Sequence, residues 1–251
     1  MRLRLKDARL VESEKELWGI PEGKISVHCL NAYSYNIAQK DSQFAEALLN
    51  GNFLIPDGAS IVMACRWLKA KSRPEKRIAG WDLFSFEMDR LERKSEKREA
   101  ESEKLRVMFI GSSEKVLNLI RERASREYPC LDIITYSPPY KSEFTAEDNE
   151  TIIQNINGAN PDLLWIGMTA PKQEKWIYVH WDELTIHCHV GTIGAVFDFY
   201  AGTTKRAPIW WQNHSLEWLF RLLMEPKRMW KRYLIGNPVF LRNIFTEWVR
   251  R

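Results

Sequence analysis

Residues 105–127, LRVMFIGSSEKVLNLIRERASRE, decide the fold. Val107-Met108-Phe109-Ile110 is apolar throughout, as expected of a strand buried on both faces. The tight turn Gly111-Ser112-Ser113 follows, and the apolar spacing then turns helical as far as Glu127. Strand, polar turn and helix form the repeating unit of a parallel sheet layered with helices. The pattern recurs along the chain. Strands are expected at 25–30, 52–55, 105–110, 131–134, 163–166 and 186–190, and helices at 35–49, 60–68, 113–127, 146–156 and 172–179. The fold class is therefore α/β, a parallel sheet with helices on both faces. No internal repeat is visible.

Two segments depart from this pattern. The stretch 91–106, LERKSEKREAESEKLR, is almost all charge. It offers little apolar surface to bury, so a solvated helix or tether at about 86–104 is expected to link two halves of the core. After Gly202 no strand is apparent. Helices are expected at 210–224, 227–235 and 239–249, interrupted at Pro226 and Pro238. This makes 1–204 an α/β core and 205–251 an all-helical appendage.

The appendage has its own electrostatics. It holds ten Lys and Arg against three acids, a balance of +7 in a chain whose total is +4. It also holds five of the eleven Trp: Trp210, Trp211, Trp218, Trp230 and Trp248. Cations interleaved with indoles suit a bilayer face or a lipid diphosphate, anionic outside and apolar beneath. They suit nucleic acid too, but a nucleic-acid-binding protein leaves Asp57, Gln173 and Asp198 unexplained, so no nucleic-acid partner is expected. The widely spaced Cys29, Cys65, Cys130 and Cys188 read as reduced thiols of a cytoplasmic protein. The N-terminus is charged throughout, and no apolar run approaches the ~18 residues of a spanning helix. Membrane contact is therefore expected to be peripheral, on the inner face of the cell membrane.

Ligands of an open parallel sheet sit beyond the carboxyl ends of its strands. The candidates there are Asn31, Asp57-Gly58, Gly111-Ser112-Ser113, Gly167 to Gln173-Glu174, and Gly191 to Asp198. Gly111-Ser112-Ser113 can bind phosphate at a helix N-terminus or simply cap the helix. The GxGxxG fingerprint and the Walker lysine are both missing, which argues against a nicotinamide enzyme or a P-loop enzyme. Asp57 is either a turn residue or a general base for a sugar hydroxyl. Glu174 suits a capping role, which leaves Gln173 unexplained. His187 and His189 would point one way on a strand and Cys188 the other, so no metal site is expected. Arg221, Arg228 and Arg232 repeat near helical spacing; they form either a solvated face or a diphosphate clamp.

Several blocks together resemble the WecG/TagA/CpsF family of bacterial glycosyltransferases. They are PDG at 56–58, RIAGWDLF at 77–84, PDLLWIGMTAPKQEKWI at 161–177, GTIGAVFDFYAG at 191–202 and RAPIWWQNHSLEWLFRLLMEPKRMWKRY at 206–233. The resemblance implies a Rossmann-like core and transfer of a sugar, often of N-acetylhexosamine type, from a UDP-sugar donor. The implied acceptor is a saccharide on undecaprenyl diphosphate, used in cell-surface polysaccharide synthesis. Inversion to a β-linkage, independence from metal, absence of a cofactor and self-association through the core are also implied. By the same resemblance Asp57 is the base. It also makes Gln173 an active-site contact and Arg221, Arg228 and Arg232 ligands of the acceptor or donor diphosphate. With the strand-end positions added, the donor-binding candidates are Asn31, Gly58, Gly111, Ser112, Gln173, Glu174, Gly191 and Asp198, and Arg206 joins the other arginines as an acceptor or diphosphate candidate. Cys29 stands where many relatives have Thr, Gly191-Thr192-Ile193-Gly194 replaces a GVGG, and 91–104 is longer than usual. These departures leave the donor sugar open, with a hexose or uronic acid as the alternative.

Overall fold

The computed structural model describes residues 2–98 and 103–250. After a short α1 (Glu14–Trp18), β1 (Ile25–Leu30) is followed by α2 (Ala32–Ala38) and α3 (Ser42–Asn50). Next come β2 (Phe53–Pro56), α4 (Ala59–Leu68) and α5 (Gly80–Glu96). The pairs β3 (Leu105–Gly111) with α6 (Glu114–Glu127) and β4 (Leu131–Tyr136) with α7 (Ala146–Ala159) follow. Then come β5 (Leu163–Gly167) with α8 (Lys172–His180) and β6 (His189–Thr192) with α9 (Gly194–Tyr200). The rest is helical: α10 (Ile209–Asn213), α11 (Glu217–Met224), α12 (Pro226–Trp230), a π turn at Lys231–Ile235, and α13 (Gly236–Val249).

The six strands form one sheet in the order β2-β1-β6-β5-β3-β4. The pairs β1–β6, β6–β5, β5–β3 and β3–β4 are parallel. The chain divides into two compact units: Met1–Leu17, Cys29–Ala79 and Lys205–Arg251 form the first, Trp18–His28 and Gly80–Thr204 the second. One cut of the division falls at 204/205, and Lys205–Arg251 belongs to the same unit as Met1–Leu17 and Cys29–Ala79.

In the second unit the alternation along β3 accounts for both helical layers. Met108 and Ile110 join Leu164, Ile166, Ile152 of α7 and Trp176 of α8 in one buried cluster. Phe109 points the other way, 6.2 Å from Phe84 of α5 and 5.6 Å from Phe197 of α9 between ring centroids. Successive residues of a strand face opposite sides, so an unbroken apolar run needs cover on both. Each large apolar side chain buried in this way contributes about 1.5–3 kcal/mol.

The first unit gathers its core from distant parts of the sequence. Leu3, Leu5 and Leu10 pack with Phe44 of α3, Ile61, Cys65 and Leu68 of α4, and Phe240 and Ile244 of α13. Glu247 of α13 accepts the backbone N–H groups of Leu5 and Lys6, at 3.1 and 2.7 Å, and the Tyr35 hydroxyl at 2.7 Å.

Several elements differ from the sequence reading. The helix expected at 35–49 is two helices, because Asp41 caps a new start by accepting the Phe44 N–H at 2.9 Å. The helix expected at 210–224 breaks at Ser215, which has a φ of +60°. The break expected at Pro238 is absent. The chain stays helical through the π turn at Lys231–Ile235, where the Gly236 N–H donates to the Lys231 carbonyl, and Pro238 follows this shift in hydrogen-bond register. The charged stretch begins as an ordinary helix, with Glu87, Met88, Leu91 and Glu92 of α5 buried; residues 99–102 of the expected tether lie outside the described residues. β6 starts at His189, so His187 and Cys188 precede the strand.

Candidate active site

Within the first unit, the carboxyl ends of β1 and β2 carry Asn31 and Asp57. The Asp57 N–H donates to the Leu30 carbonyl at 2.8 Å, joining the two strand ends. Asn31 caps α2, and its Oδ1 accepts the N–H groups of Tyr33 and Ser34 at 3.1 Å each. Those bonds fix the amide, so Nδ2 is the atom that donates to Asp57 Oδ2, at 3.3 Å. Gly58 has a φ of +150°, a region that side-chain-bearing residues rarely enter. That backbone turns the chain from β2 into α4.

A cavity of about 380 Å³ opens over this pair. Three guanidinium groups, from Arg77, Arg221 and Arg232, reach its wall, together with Glu217 and Asp57. Arg77 and Glu217 form an ion pair at 2.9 Å. Arg232 lies over the Tyr33 ring at 4.6 Å, and its buried Nε–H has no hydrogen-bond partner among the described residues. Burial lowers the Arg232 pKa, and the neighbouring Arg221 adds to that effect. A buried cationic donor without a partner is costly unless an anion meets it. Burial raises the Asp57 carboxyl. The Asn31 hydrogen bond opposes that rise, Glu217 reinforces it, and Arg232 and Arg77 oppose it.

The structure sorts the expected arginines. Arg221 and Arg232 belong to the cavity, whereas Arg228 is exposed and paired with Glu225 at 2.9 Å. Glu225 has left helical geometry (φ −131°, ψ 59°), and Pro226 starts α12 afresh. One continuous helical face through residues 221, 228 and 232 therefore does not form. Arg206 is half-buried and is not part of the cavity wall. Arg77, Glu217 and Tyr33 were not singled out from sequence. Arg77 opens the RIAGWDLF block and Glu217 lies within the block at 206–233, so the signal for both was their place in those blocks.

The remaining candidates lie in the second unit. Gly111 has a φ of +111°, and a Cβ on it would come within 2.6 Å of the Gly167 carbonyl oxygen. Ser112 follows with a φ of +57°, and Ser113 caps α6. A Cβ on Gly191 would overlap the Trp165 ring. Gln173 and Glu174 are buried. The Gln173 Oε1 accepts the Met168 N–H at 3.1 Å, and its Nε2 donates to Glu174 Oε1 at 2.8 Å. Burial pushes the Glu174 carboxyl up to about 7, with Thr192 beside it, and Thr192 in turn meets His28 Nδ1 at 3.0 Å. The Asp198 carbonyl accepts the N–H groups of Thr203 and Thr204, which closes the turn after α9.

One group of potential metal ligands occurs among the described residues: Glu92, Glu96 and Cys130, with ligand atoms within 4.8 Å of one another. Cys130 precedes β4, so it sits at the amino end of that strand, opposite the edge where ligands of such sheets bind. His189 is engaged by Glu87 and by the Pro21 carbonyl, and His187 is exposed.

A parallel α/β sheet followed by cationic helices, with a carboxylate and guanidinium groups in one cavity, defines a sugar-transferring enzyme of glycosyltransferase type when set beside the comparisons with known proteins. The glycosyl transferase WecG/TagA/CpsF family model matches residues 8–251, and the chain belongs to that family. It is 33% identical over 210 residues to the N-acetylglucosaminyldiphosphoundecaprenol N-acetyl-beta-D-mannosaminyltransferase of Bacillus subtilis (strain 168), covering 84% of this chain and 75% of the relative. A protein of the same name from Bacillus spizizenii (strain ATCC 23059 / NRRL B-14472 / W23) is 31% identical over 198 residues, 78% of this chain and 70% of the relative. Another, from Staphylococcus aureus (strain MW2), is 26% identical over 209 residues, 83% of this chain and 75% of the relative.

Proposed function

We propose that this glycosyltransferase moves a sugar of N-acetylhexosamine type from a UDP-sugar onto a saccharide carried by a polyprenyl diphosphate, with inversion and without a metal ion. The observation that carries the reading is Asp57, held by Asn31 in a cavity that also contains Arg77, Arg221 and Arg232. The names of the relatives support the acceptor and the β product.

In this reading Asp57 takes the proton from the acceptor hydroxyl. That oxygen forms a bond to the anomeric carbon as the bond from that carbon to the UDP oxygen breaks. UDP departs with the electron pair, and a single displacement from the opposite face inverts the configuration. Guanidinium groups and backbone N–H donors meet the charge on the phosphates, as preorganised donors do where charge develops. A raised carboxyl pKa suits a base working near neutral pH. Arg221 and Arg232 are assigned to a diphosphate, and Arg206 and Arg228 to a more peripheral contact with the anionic carrier. Asn31 and Gly58 are assigned to the reacting sugars, and Gly111, Ser112, Gln173, Glu174, Gly191 and Asp198 to the nucleotide donor.

No helix among the described residues is long and apolar enough to cross a membrane. The proposed setting is peripheral, on the cytoplasmic face of the cell membrane, through the cationic and Trp-rich surface of 205–251. Self-association is part of the proposal and is read by light scattering. The function is tested by UDP release with a panel of UDP-sugars, hexoses and uronic acids included, and synthetic lipid-diphosphate acceptors, with and without EDTA. Release with a UDP-N-acetylhexosamine that EDTA does not change is the expected result. Release only with a hexose or uronic acid donor moves the assignment to that sugar, and loss of release with EDTA overturns the metal-free step.

A further inference from the structure

The cavity has an apolar exit. Met63 of α4 and Leu241 of α13 belong to its wall, yet both are largely exposed, at 68% and 58%. Each begins a row at helical spacing. Met63 and Trp67 are four residues apart, as are Leu241 and Phe245, with Trp248 three further on. The opposite faces of these helices are already satisfied, since Ile61, Cys65 and Leu68 of α4 are buried with Phe240 and Ile244 of α13. The outer rows meet, with Trp67 and Trp248 at 6.3 Å and Phe245 and Trp248 at 5.9 Å between ring centroids. Contiguous apolar surface of this kind marks a docking site. From Leu241 to Trp248 it runs about 10 Å along α13. Exposed Arg66 and Arg242 adjoin it in sequence.

We infer that this strip, Met63–Trp67 on α4 and Leu241–Phe245–Trp248 on α13, is a track for the first isoprenoid units of the acceptor's prenyl chain. The inference rests on the proposed lipid-diphosphate acceptor and adds where its hydrocarbon lies. The continuity of the strip with the cavity selects the occupant. An anionic head that meets Arg221 and Arg232 and carries a long apolar extension finds Met63 and Leu241 in the same wall, and these lead onto the Trp67, Phe245 and Trp248 rings. The strip also draws α4, from the middle of the sequence, into a lipid contact that composition assigns to 205–251 alone.

The test compares two acceptors bearing the same diphosphate saccharide, one on a full-length prenyl chain in detergent micelles and one on a short water-soluble alkyl chain. Wild type is compared with a Trp67→Ser/Phe245→Ser double variant and with Trp248→Ser alone. These side chains are exposed and lie outside the cavity wall, and an unchanged melting temperature verifies each fold. The expected result is a KM for the long-chain acceptor raised about tenfold, the equivalent of about 1.4 kcal/mol of lost apolar contact, with kcat and the short-chain KM unchanged. Equal effects on both acceptors, or on neither, overturn the track. So does a variant that no longer floats with anionic phospholipid vesicles but keeps its long-chain KM in micelles, because the strip is then a bilayer contact. If wild type transfers to neither acceptor, the proposed acceptor itself fails, which is a different result from a working enzyme indifferent to the rings.

Discussion

At the scale of single residues, two carboxyl groups lie in surroundings that raise their pKa, for different reasons. Asp57 sits half-buried at a cavity with cations and another carboxyl around it, which suits a group that exchanges protons with a substrate. Glu174 is buried with Gln173 and Thr192, and its carboxyl is pushed up to about 7 from the ordinary 4.5. Above the unfolded pKa the native state holds the Glu174 proton that the unfolded chain releases. The stability this provides is complete below about pH 4.5 and is lost as pH rises through about 7, on the order of 3 kcal/mol in all. His28, buried and depressed to about 4, works in the opposite direction: its contribution is lost as pH falls from 6.5 through 4. Glu174→Gln keeps an amide oxygen for the Gln173 bond and leaves His28 untouched. Urea denaturation of both proteins at pH 5 and pH 8 should therefore show wild type losing stability relative to the variant as pH rises. Parallel changes would contradict a protonated Glu174. Little of this was legible in the sequence. PKQE marked Gln173 and Glu174 as a pair, but no spacing rule places Thr192 or His28 beside them.

At the scale of elements, the strands were legible because unbroken apolar runs such as Val107–Ile110 have few other stable arrangements. Helix boundaries were less so. Asp41 and Ser215 break helices through local backbone geometry that apolar periodicity does not register. Pro238 is tolerated because a π turn at Lys231–Ile235 leads into the start of α13. Arg77 was hidden for a related reason: it meets Glu217 through an ion pair 140 positions apart in sequence. The role of α13 is the larger lesson. Composition makes it a membrane-facing tail, yet Phe240 and Ile244 are core residues and Glu247 ties down the N-terminal segment. Phe240→Ala should thus destabilise the protein by about 3–5 kcal/mol, the usual cost of emptying a buried aromatic site. Chemical denaturation measures this, and a loss below about 1 kcal/mol would mean that α13 is not part of the folded core. Removing 205–251 outright would confound lipid binding with unfolding, so exposed side chains make the cleaner probes.

At the scale of the whole molecule, charge and apolar exposure are unevenly distributed. The segment 205–251 carries +7 in a chain of total +4, and Trp210, Leu223, Met224 and Trp230 within it are exposed. Flotation with anionic phospholipid vesicles should be strong at low salt. It should weaken without vanishing at 1 M salt, where the Debye length falls to about 3 Å and apolar contact remains. Equal flotation with neutral vesicles at every salt concentration would remove the electrostatic part of the account. The central claim, however, is chemical: Asp57 deprotonates a sugar hydroxyl in a cavity whose arginines receive an anionic substrate. Single-turnover transfer from the UDP-sugar to the lipid-diphosphate acceptor, with Asp57→Asn beside wild type, tests it most directly. The predicted result is a rate lower by about 10²–10⁴ with donor affinity nearly intact; a variant that transfers sugar at the wild-type rate would contradict it.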